Sequence, residues 1–483
     1  MRLAWIKIAL FFLVLLAPVV SLACLGTVGN YGQQTHPDYP RADQLLRGKK
    51  GRWDQLGEAI LHRSPAEKLA IRVRSWMSYR VVGFVDTEKV VSGEGDWLFF
   101  RLEFGGGRCL DEAEVAASLR RLAVLSDIGR AAGIDMFIAM SPDKSTIYPE
   151  KLNRSVRGYW RCRTESVAAV RRLMKLWAPM LIDHAEALLA EKARHPDVAL
   201  YFTTDTHWSP YGAAVGLRHL LTQVFPGEAI PSPRLSGETV ARPTDLGLML
   251  LSSSQEEFAI LDPARETALK VLNRDPAGYR TIVIGDSFYA AMKPAFKEIF
   301  PNGNMIEVRS DDTGVGPEVA TADRLILSRV ERSLVRSDVF GLLKWDQEIP
   351  LAVLARNAAR AKDCAGFAGP ARSTSDGSSI IDVPAGSAGR MPCLRLTLAA
   401  RKPGILVIAL PNPASGAFEP GREFRYRITP DHPVINLVLP DYVAGAHIRL
   451  QVEGGNPIEM RTIEMGEIDR PAGLRTAQTR PQP

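Results

Sequence analysis

An unbroken apolar run from Ile8 to Val20 follows Arg2 and Lys7 and ends at the small-x-small triplet Ser21-Leu22-Ala23. This pattern predicts a secretory signal over residues 1–23. Stretched from Leu3 to Val28, the run approaches the length of a membrane-spanning helix, so an uncleaved anchor is the competing reading. Pro18 and the cleavage-like triplet favour the signal. Ser21 stands where a lipobox needs a large aliphatic residue, which speaks against lipidation of Cys24.

Residues 24–64 read as a polar, irregular lead-in, and a helical pattern runs from Pro65 to Arg80. Gly93–Asp96 is a tight turn feeding the apolar Trp97–Phe100, which reads as a buried edge of a sheet. Three helix-to-strand steps follow. The first joins a helix over Glu112–Ala132 to a strand over Met136–Met140. The second runs from a helix over Glu165–Leu176 through Met180–Ile182 and a helix over Ala185–Lys192 to a strand over Ala199–Phe202. The third joins a helix over Tyr211–Phe225 to a strand over Thr281–Ile284. Helices alternating with short aliphatic strands predict an α/β domain over 65–345, with a mainly parallel sheet flanked by helices.

Beyond 345 the period changes. An amphipathic helix over Leu351–Lys362 and a Gly/Ser/Ala/Pro-rich stretch form a linker over 346–378. Six short strands then follow, at Ser379–Val383, Leu394–Leu398, Ile405–Leu410, Phe424–Ile428, Val434–Leu439 and His447–Val452. Their spacing and Pro/Gly turns predict a smaller β-sandwich over 379–466, with a disordered tail over 467–483. Tyr426 and Tyr442 stand outside obvious core positions and are its candidates for packing against sugar faces.

With 483 residues, 46% hydrophobic and 24% charged, the chain is globular and long enough for two domains. The net charge of +6 comes from cations scattered among 54 acids, so no nucleic-acid footprint forms and nucleic acid is not expected as a partner. Setting Cys24 aside leaves Cys109, Cys162, Cys364 and Cys393, an even number in an exported chain, which predicts disulfides. Of the three connectivities, Cys109–Cys162 with Cys364–Cys393 avoids tying the front of the chain to its back. No CxxC pair or histidine cluster marks a metal site, and no cofactor motif is present.

Two motifs carry chemistry. Gly285-Asp286-Ser287-Phe288 follows the strand Thr281–Ile284 and opens a helical stretch over Tyr289–Ile299. A serine on such a turn exposes its hydroxyl at the sheet edge, beside free N–H groups that can stabilise an oxyanion. The plainer account is that Ser287 or Asp286 merely caps the helix. Asp205-Thr206-His207-Trp208 follows the segment Ala199–Phe202 and precedes Ser209-Pro210, an N-cap and first-turn proline. In a loop, Asp205 can hold one nitrogen of His207 and leave the other to take a serine proton. His184 and His432 also follow acids, but the first runs straight into a helix and the second lies far down the C-terminal region.

The pair GDSF and DTHW, with DTHW first, resembles the alginate O-acetyltransferase family, an SGNH hydrolase-like group. Gly95–Phe99, Ser141-Pro142-Asp143-Lys144, Ile147–Glu150 and Val330-Glu331-Arg332 agree, and the likeness covers residues 65–335. It implies an SGNH hydrolase-like fold with Ser287 as nucleophile, His207 as base and Asp205 as orienting acid. It also implies a periplasmic O-acetyltransferase with a polysaccharide acceptor and a membrane-bound acyltransferase as acetyl donor. An esterase acting on an acetylated glycan uses the same residues, and a non-catalytic polysaccharide-binding scaffold would need none of them. The asparagine oxyanion donor of ordinary SGNH esterases has no counterpart here, so only the Ser287 N–H is assigned to that role.

Overall fold

The computed structural model describes residues 2–471 apart from 29–37, 47–50, 83–84, 105–110, 176–179, 251–254, 263–278, 308–313, 335–343, 364, 369–370, 374–377, 388, 401–402, 429–433 and 454–457. At its centre lies a five-stranded, wholly parallel sheet. Its order is Leu181–Asp183, Asp135–Ser141, Arg324–Val330, Thr281–Gly285 and Asn304–Glu307. Every residue of Arg324–Val330 is buried, as expected of a strand with layers on both faces. One hydrophobic cluster lies against the helix Glu112–Ala131 and another against the helix Pro210–Val224. The expected alternation of helix and strand therefore holds. The central Arg324–Val330 and the edge Asn304–Glu307 were not anticipated.

Two expected sheet positions are corrected. Ala199–Phe202 is not a sheet strand; Tyr201 makes a single bridge to Trp208. The segment folds back locally, with Ser209 N donating to Leu200 O at 2.8 Å, so its backbone needs no sheet neighbour. Leu98–Phe100 is not an edge of the main sheet either. It pairs antiparallel with Val90–Ser92 in a separate two-stranded ribbon, tied to the rest through Leu98 N and Thr203 O at 3.0 Å. A second ribbon pairs Leu235–Pro243 with Gln255–Leu261 around a short helix, Asp245–Met249.

The C-terminal region holds two antiparallel sheets. One contains Ala365–Ala368, Ile458–Asp469, Arg390–Ala400 and Val434–Val438; the other contains Ala371–Ser373, Ser379–Asp382, His447–Glu453, Gly404–Pro411 and Phe418–Ile428. All six expected strands are present, and two parts of the expected linker, Ala365–Ala368 and Ala371–Ser373, are recruited as short strands, one into each sheet. Buried residues of both sheets share one cluster with the parallel sheet and the helices Glu112–Ala131 and Lys344–Arg360. At this seam Gly421 has φ +86°, and a Cβ there would lie 2.2 Å from Ala117 O, so the backbones meet at a distance only glycine allows. Asn357 bridges the same seam, its amide donating to Ile128 O (3.2 Å) and Val438 O (2.9 Å) while its carbonyl accepts Val438 N (2.7 Å). Tyr426 and Tyr442 are half-buried and pack against this core, contrary to their reading as outlying platforms. Cys393 is disulfide-bonded; Cys109 and Cys364 lie outside the described residues. Cys24 is free and exposed.

Candidate active site

Both motifs arrive at one point. The strand Thr281–Gly285 ends at Asp286, whose carboxylate accepts Phe288 N (3.2 Å) and Val330 N (2.7 Å). Asp286 is therefore the cap of the helix Ser287–Ala290 and fastens the turn to the next strand. That leaves the Ser287 hydroxyl exposed and unspent on capping. Burial pushes the Asp286 carboxyl up despite these two N–H groups and the nearby cations Arg332 and Arg329.

His207 meets Ser287 from the other side, with Nε2 2.8 Å from the serine Oγ. Its Nδ1 lies 2.7 Å from Asp205 Oδ1, which also accepts the His207 backbone N–H at 3.0 Å. Two bonds to one oxygen close the Asp-x-His loop, the conformation that a helix would forbid for residues two apart. The Asp205 side chain is 4% exposed and that of His207 22%. Burial alone would raise the Asp205 carboxyl; the hydrogen bond and charge of His207, with the N–H groups of Asp245 and His207, outweigh it and hold the pKa far below the usual range. Trp208 joins the two motifs directly, its indole N–H donating to Phe288 O at 2.7 Å. After it, Ser209 caps the helix Pro210–Val224 through Gly212 N at 3.1 Å.

The histidine loop is held from outside itself. Lys144 is fully buried, and its ammonium donates to the carbonyls of Phe202 (3.1 Å), Thr203 (3.0 Å) and Asp205 (2.7 Å). Burial lowers its pKa to about 8 against the pull of Glu103, Asp245, Asp205 and Glu256. Glu256 accepts Thr203 N (2.6 Å) and Thr204 N (2.9 Å). Asp245 accepts Thr206 N at 2.7 Å and gives its own N–H to Asp205 Oδ2 at 2.9 Å. Burial, then the charge of Asp205, raises the Asp245 carboxyl. Arg242 lies over the Phe202 ring, with Nη2 3.4 Å from Asp205 Oδ2. Glu331 accepts Asp143 N at 3.1 Å and the Thr146 hydroxyl at 2.9 Å, and Arg332 pairs with Asp143. The Ser-Pro-Asp-Lys and Val-Glu-Arg segments are thus the buried frame beneath the site.

Sequence reasoning quoted Lys144, Glu331 and Arg332 without a role and missed Asp245, Glu256 and Arg242 altogether. Nothing local marks Asp245, which sits after Thr244 like any first-turn acid. His184 lies outside the constellation. It is buried, 2.9 Å from the Tyr289 hydroxyl, and burial with the neighbouring His219 holds its pKa well below the ordinary value. His432 falls outside the described residues.

Chemically, an exposed hydroxyl at a helix start, an imidazole in contact with it and a buried carboxylate on the far nitrogen can deprotonate the hydroxyl and hold the resulting imidazolium. Asp205, His207 and Asp245 also offer one ligand atom each within 4.8 Å, a donor set that suits a divalent cation. Nδ1 is the imidazole atom turned to the two carboxylates, and Asp205 already holds it, so a cation would have to displace the bond that orients His207 toward Ser287.

Residues 90–296 match the family model described as SGNH hydrolase-like domain, acetyltransferase AlgX. The matched stretch is somewhat less than half of the chain. The alginate biosynthesis protein AlgX of Pseudomonas aeruginosa is 27% identical over 179 residues, 34% of this chain and 35% of AlgX. The chain thus matches about a third of the length of that curated relative. Among solved structures, P. aeruginosa AlgX covers 79% of this chain and 94% of its own, with 16% identity and a TM-score of 0.39. The O-acetyltransferase domain of Pseudomonas putida AlgJ covers 55% of this chain and 99% of its own (18% identity, TM-score 0.36). For Bacillus cereus PatB1 the figures are 53% and 100%, with 14% identity and a TM-score of 0.39.

Proposed function

We propose that this protein transfers acetyl groups to hydroxyls of a secreted polysaccharide, through an acetyl-Ser287 intermediate. The observation that carries the reading is the chain Asp205 Oδ1, His207 Nδ1, His207 Nε2, Ser287 Oγ, with contacts of 2.7 and 2.8 Å, ending on an exposed hydroxyl. Asp205 keeps the Nδ1 proton in place, so Nε2 can take the Ser287 proton as Oγ bonds to the acetyl carbonyl carbon. The donor's leaving oxygen then departs with that proton from His207. In the second half the acceptor hydroxyl gives its proton to His207, its oxygen attacks the acetyl carbon, and Ser287 recovers a proton as it leaves. The Ser287 N–H at the helix start supports the oxyanion in both halves.

The match of residues 90–296 to the family model described as SGNH hydrolase-like domain, acetyltransferase AlgX, favours acetyl chemistry over other serine-hydrolase reactions. The exported location, a membrane-bound acyltransferase as donor and an alginate-like acceptor are further parts of the proposal, as is reading the two C-terminal sheets as a β-sandwich that holds the glycan. Purified protein incubated with an activated acetyl ester, with and without oligosaccharide acceptors, tests the reaction by mass spectrometry. Acetyl on sugar is the expected result. Acetate alone would make the protein an esterase, an outcome that the solvent exposure of Ser287 admits. Turnover unchanged in Ser287→Ala would overturn the nucleophile.

A further inference from the structure

The helix Arg2–Leu25 does not break at the small-x-small triplet; it continues through Ser21, Leu22 and Ala23 to Leu25. Its far end is fastened to the body. Ala66 N donates to Ser21 Oγ at 3.2 Å, and Val28 N donates to Arg63 O at 3.0 Å. Cys24 and Leu25 line an apolar groove with Pro65, Ala66 and Leu69. From Trp5 to Leu25 the helix is apolar apart from Lys7 and Ser21, with mean hydropathy 2.8 and none of that window buried. At 1.5 Å per residue its 24 residues reach about 36 Å, enough to cross a bilayer core of roughly 30 Å.

The next long helix carries a second exposed apolar surface. On Pro65–Trp76 and the turn after it, Leu69 is 62% exposed, Val73 48%, Trp76 61% and Met77 50%. Spaced by four, three and one, these side chains fall on a single face. Arg72 and Arg74 flank the stripe on opposite sides, both exposed and without an acidic partner among the described residues. An apolar stripe containing a tryptophan and edged by arginines is the surface of a helix lying in a membrane interface, its rings and aliphatics among the acyl chains and its guanidiniums at anionic headgroups.

We infer that the first helix is retained as an anchor, and that Leu69, Val73, Trp76 and Met77 seat the following helix in the anionic face of the same bilayer. The two surfaces adjoin at the groove through Leu69, so one membrane can take both. The seat also adjoins the site. Tyr79 donates to Asp96 at 3.0 Å and packs with Val85, Leu98 and Leu246, and Leu98 N reaches Thr203 O in the histidine loop. On the acetyl-transfer reading, the acetyl donor would be held in that same membrane. Docking itself does not depend on that reading and can be measured equally in a Ser287→Ala chain.

The test uses the full chain with Cys24→Ser, reconstituted in phosphatidylcholine vesicles with and without phosphatidylglycerol. A polarity-sensitive dye is placed at Val73→Cys and, as a solvent control in the C-terminal region, at the exposed Ala414→Cys. The dye at 73 should be quenched by brominated lipid and shielded from iodide, with the reverse at 414. Arg72→Gln and Arg74→Gln should each weaken docking on anionic vesicles about fivefold. Iodide quenching at 73 in every vesicle would overturn the seat, as would a lipid-independent disulfide dimer of the Val73→Cys chain, which would assign the face to a second copy. An intact mass starting beyond Ala23 in the natural chain would overturn retention of the anchor.

Discussion

The serine turn and the histidine loop bring Ser287 Oγ and His207 Nε2 2.8 Å apart by different physical means. The serine turn is nearly self-sufficient. A buried parallel strand delivers it, Asp286 caps its helix, and one further bond to Val330 N fixes it. The histidine loop has no sheet strand behind it. Its shape depends on Lys144 beneath three carbonyls, Glu256 beneath two N–H groups and Asp245 behind Asp205, groups from 40 to 61 positions away in the chain. A hydroxyl can be placed by local geometry, whereas an imidazole held in one orientation is placed by a buried polar frame.

The largest effect tests whether the two parts act as one. Ser287→Ala and His207→Ala should each lower turnover of an activated acetyl ester roughly 10⁴-fold or more, and the double variant should lose little beyond either. Additive losses would separate them. Next comes the frame. Lys144→Met leaves three buried carbonyls without their donor and should cost about 3–5 kcal/mol in urea denaturation, with activity falling in step. The same residue makes a pH prediction. Its folded pKa of about 8 lies below the ordinary 10.5, so between those values the unfolded chain binds more protons and stability rises with pH. The natural chain should gain stability over Lys144→Met across that window; buried Tyr201 and Tyr289 titrate in both chains and cancel. A flat difference would mean that Lys144 titrates normally.

Asp245→Asn retains an acceptor for Thr206 but removes the charge beside Asp205, and kcat should drop roughly tenfold with KM little changed, as expected of an interaction made in the transition state. The smallest effect belongs to the serine turn. Asp286→Ala removes a cap and should cost about 1 kcal/mol of stability. If it cost as much as Lys144→Met, the local account of that turn would fail.

The parts legible from the sequence were those that local patterning encodes. Aliphatic runs gave Asp135–Ser141 and Thr281–Gly285, helical periodicity gave Glu112–Ala131 and Pro210–Val224, and turn-separated short runs gave all six expected C-terminal strands. Ser287, His207 and Asp205 were legible because an Asp-x-His loop and a Gly-Asp-Ser turn are short motifs. The central strand Arg324–Val330 was missed because its arginines and serine interrupt the apolar run, and only tertiary packing buries them. Ala199–Phe202 misled for the opposite reason. Its apolar side chains serve the core, while its backbone closes on Trp208.

From the sequence alone, then, came the class of fold and the chemical identity of three candidate residues, since both rest on interactions within a few positions of the chain. Tertiary structure decided that the three meet, that Asp286 and not Ser287 is the cap, and that Lys144, Glu256 and Asp245 hold the histidine loop. It also decided that Tyr426 and Tyr442 lean on the core. Those outcomes depend on which distant groups share a buried space, where an unpaired charge or amide is too costly to leave, and no local pattern records that pairing.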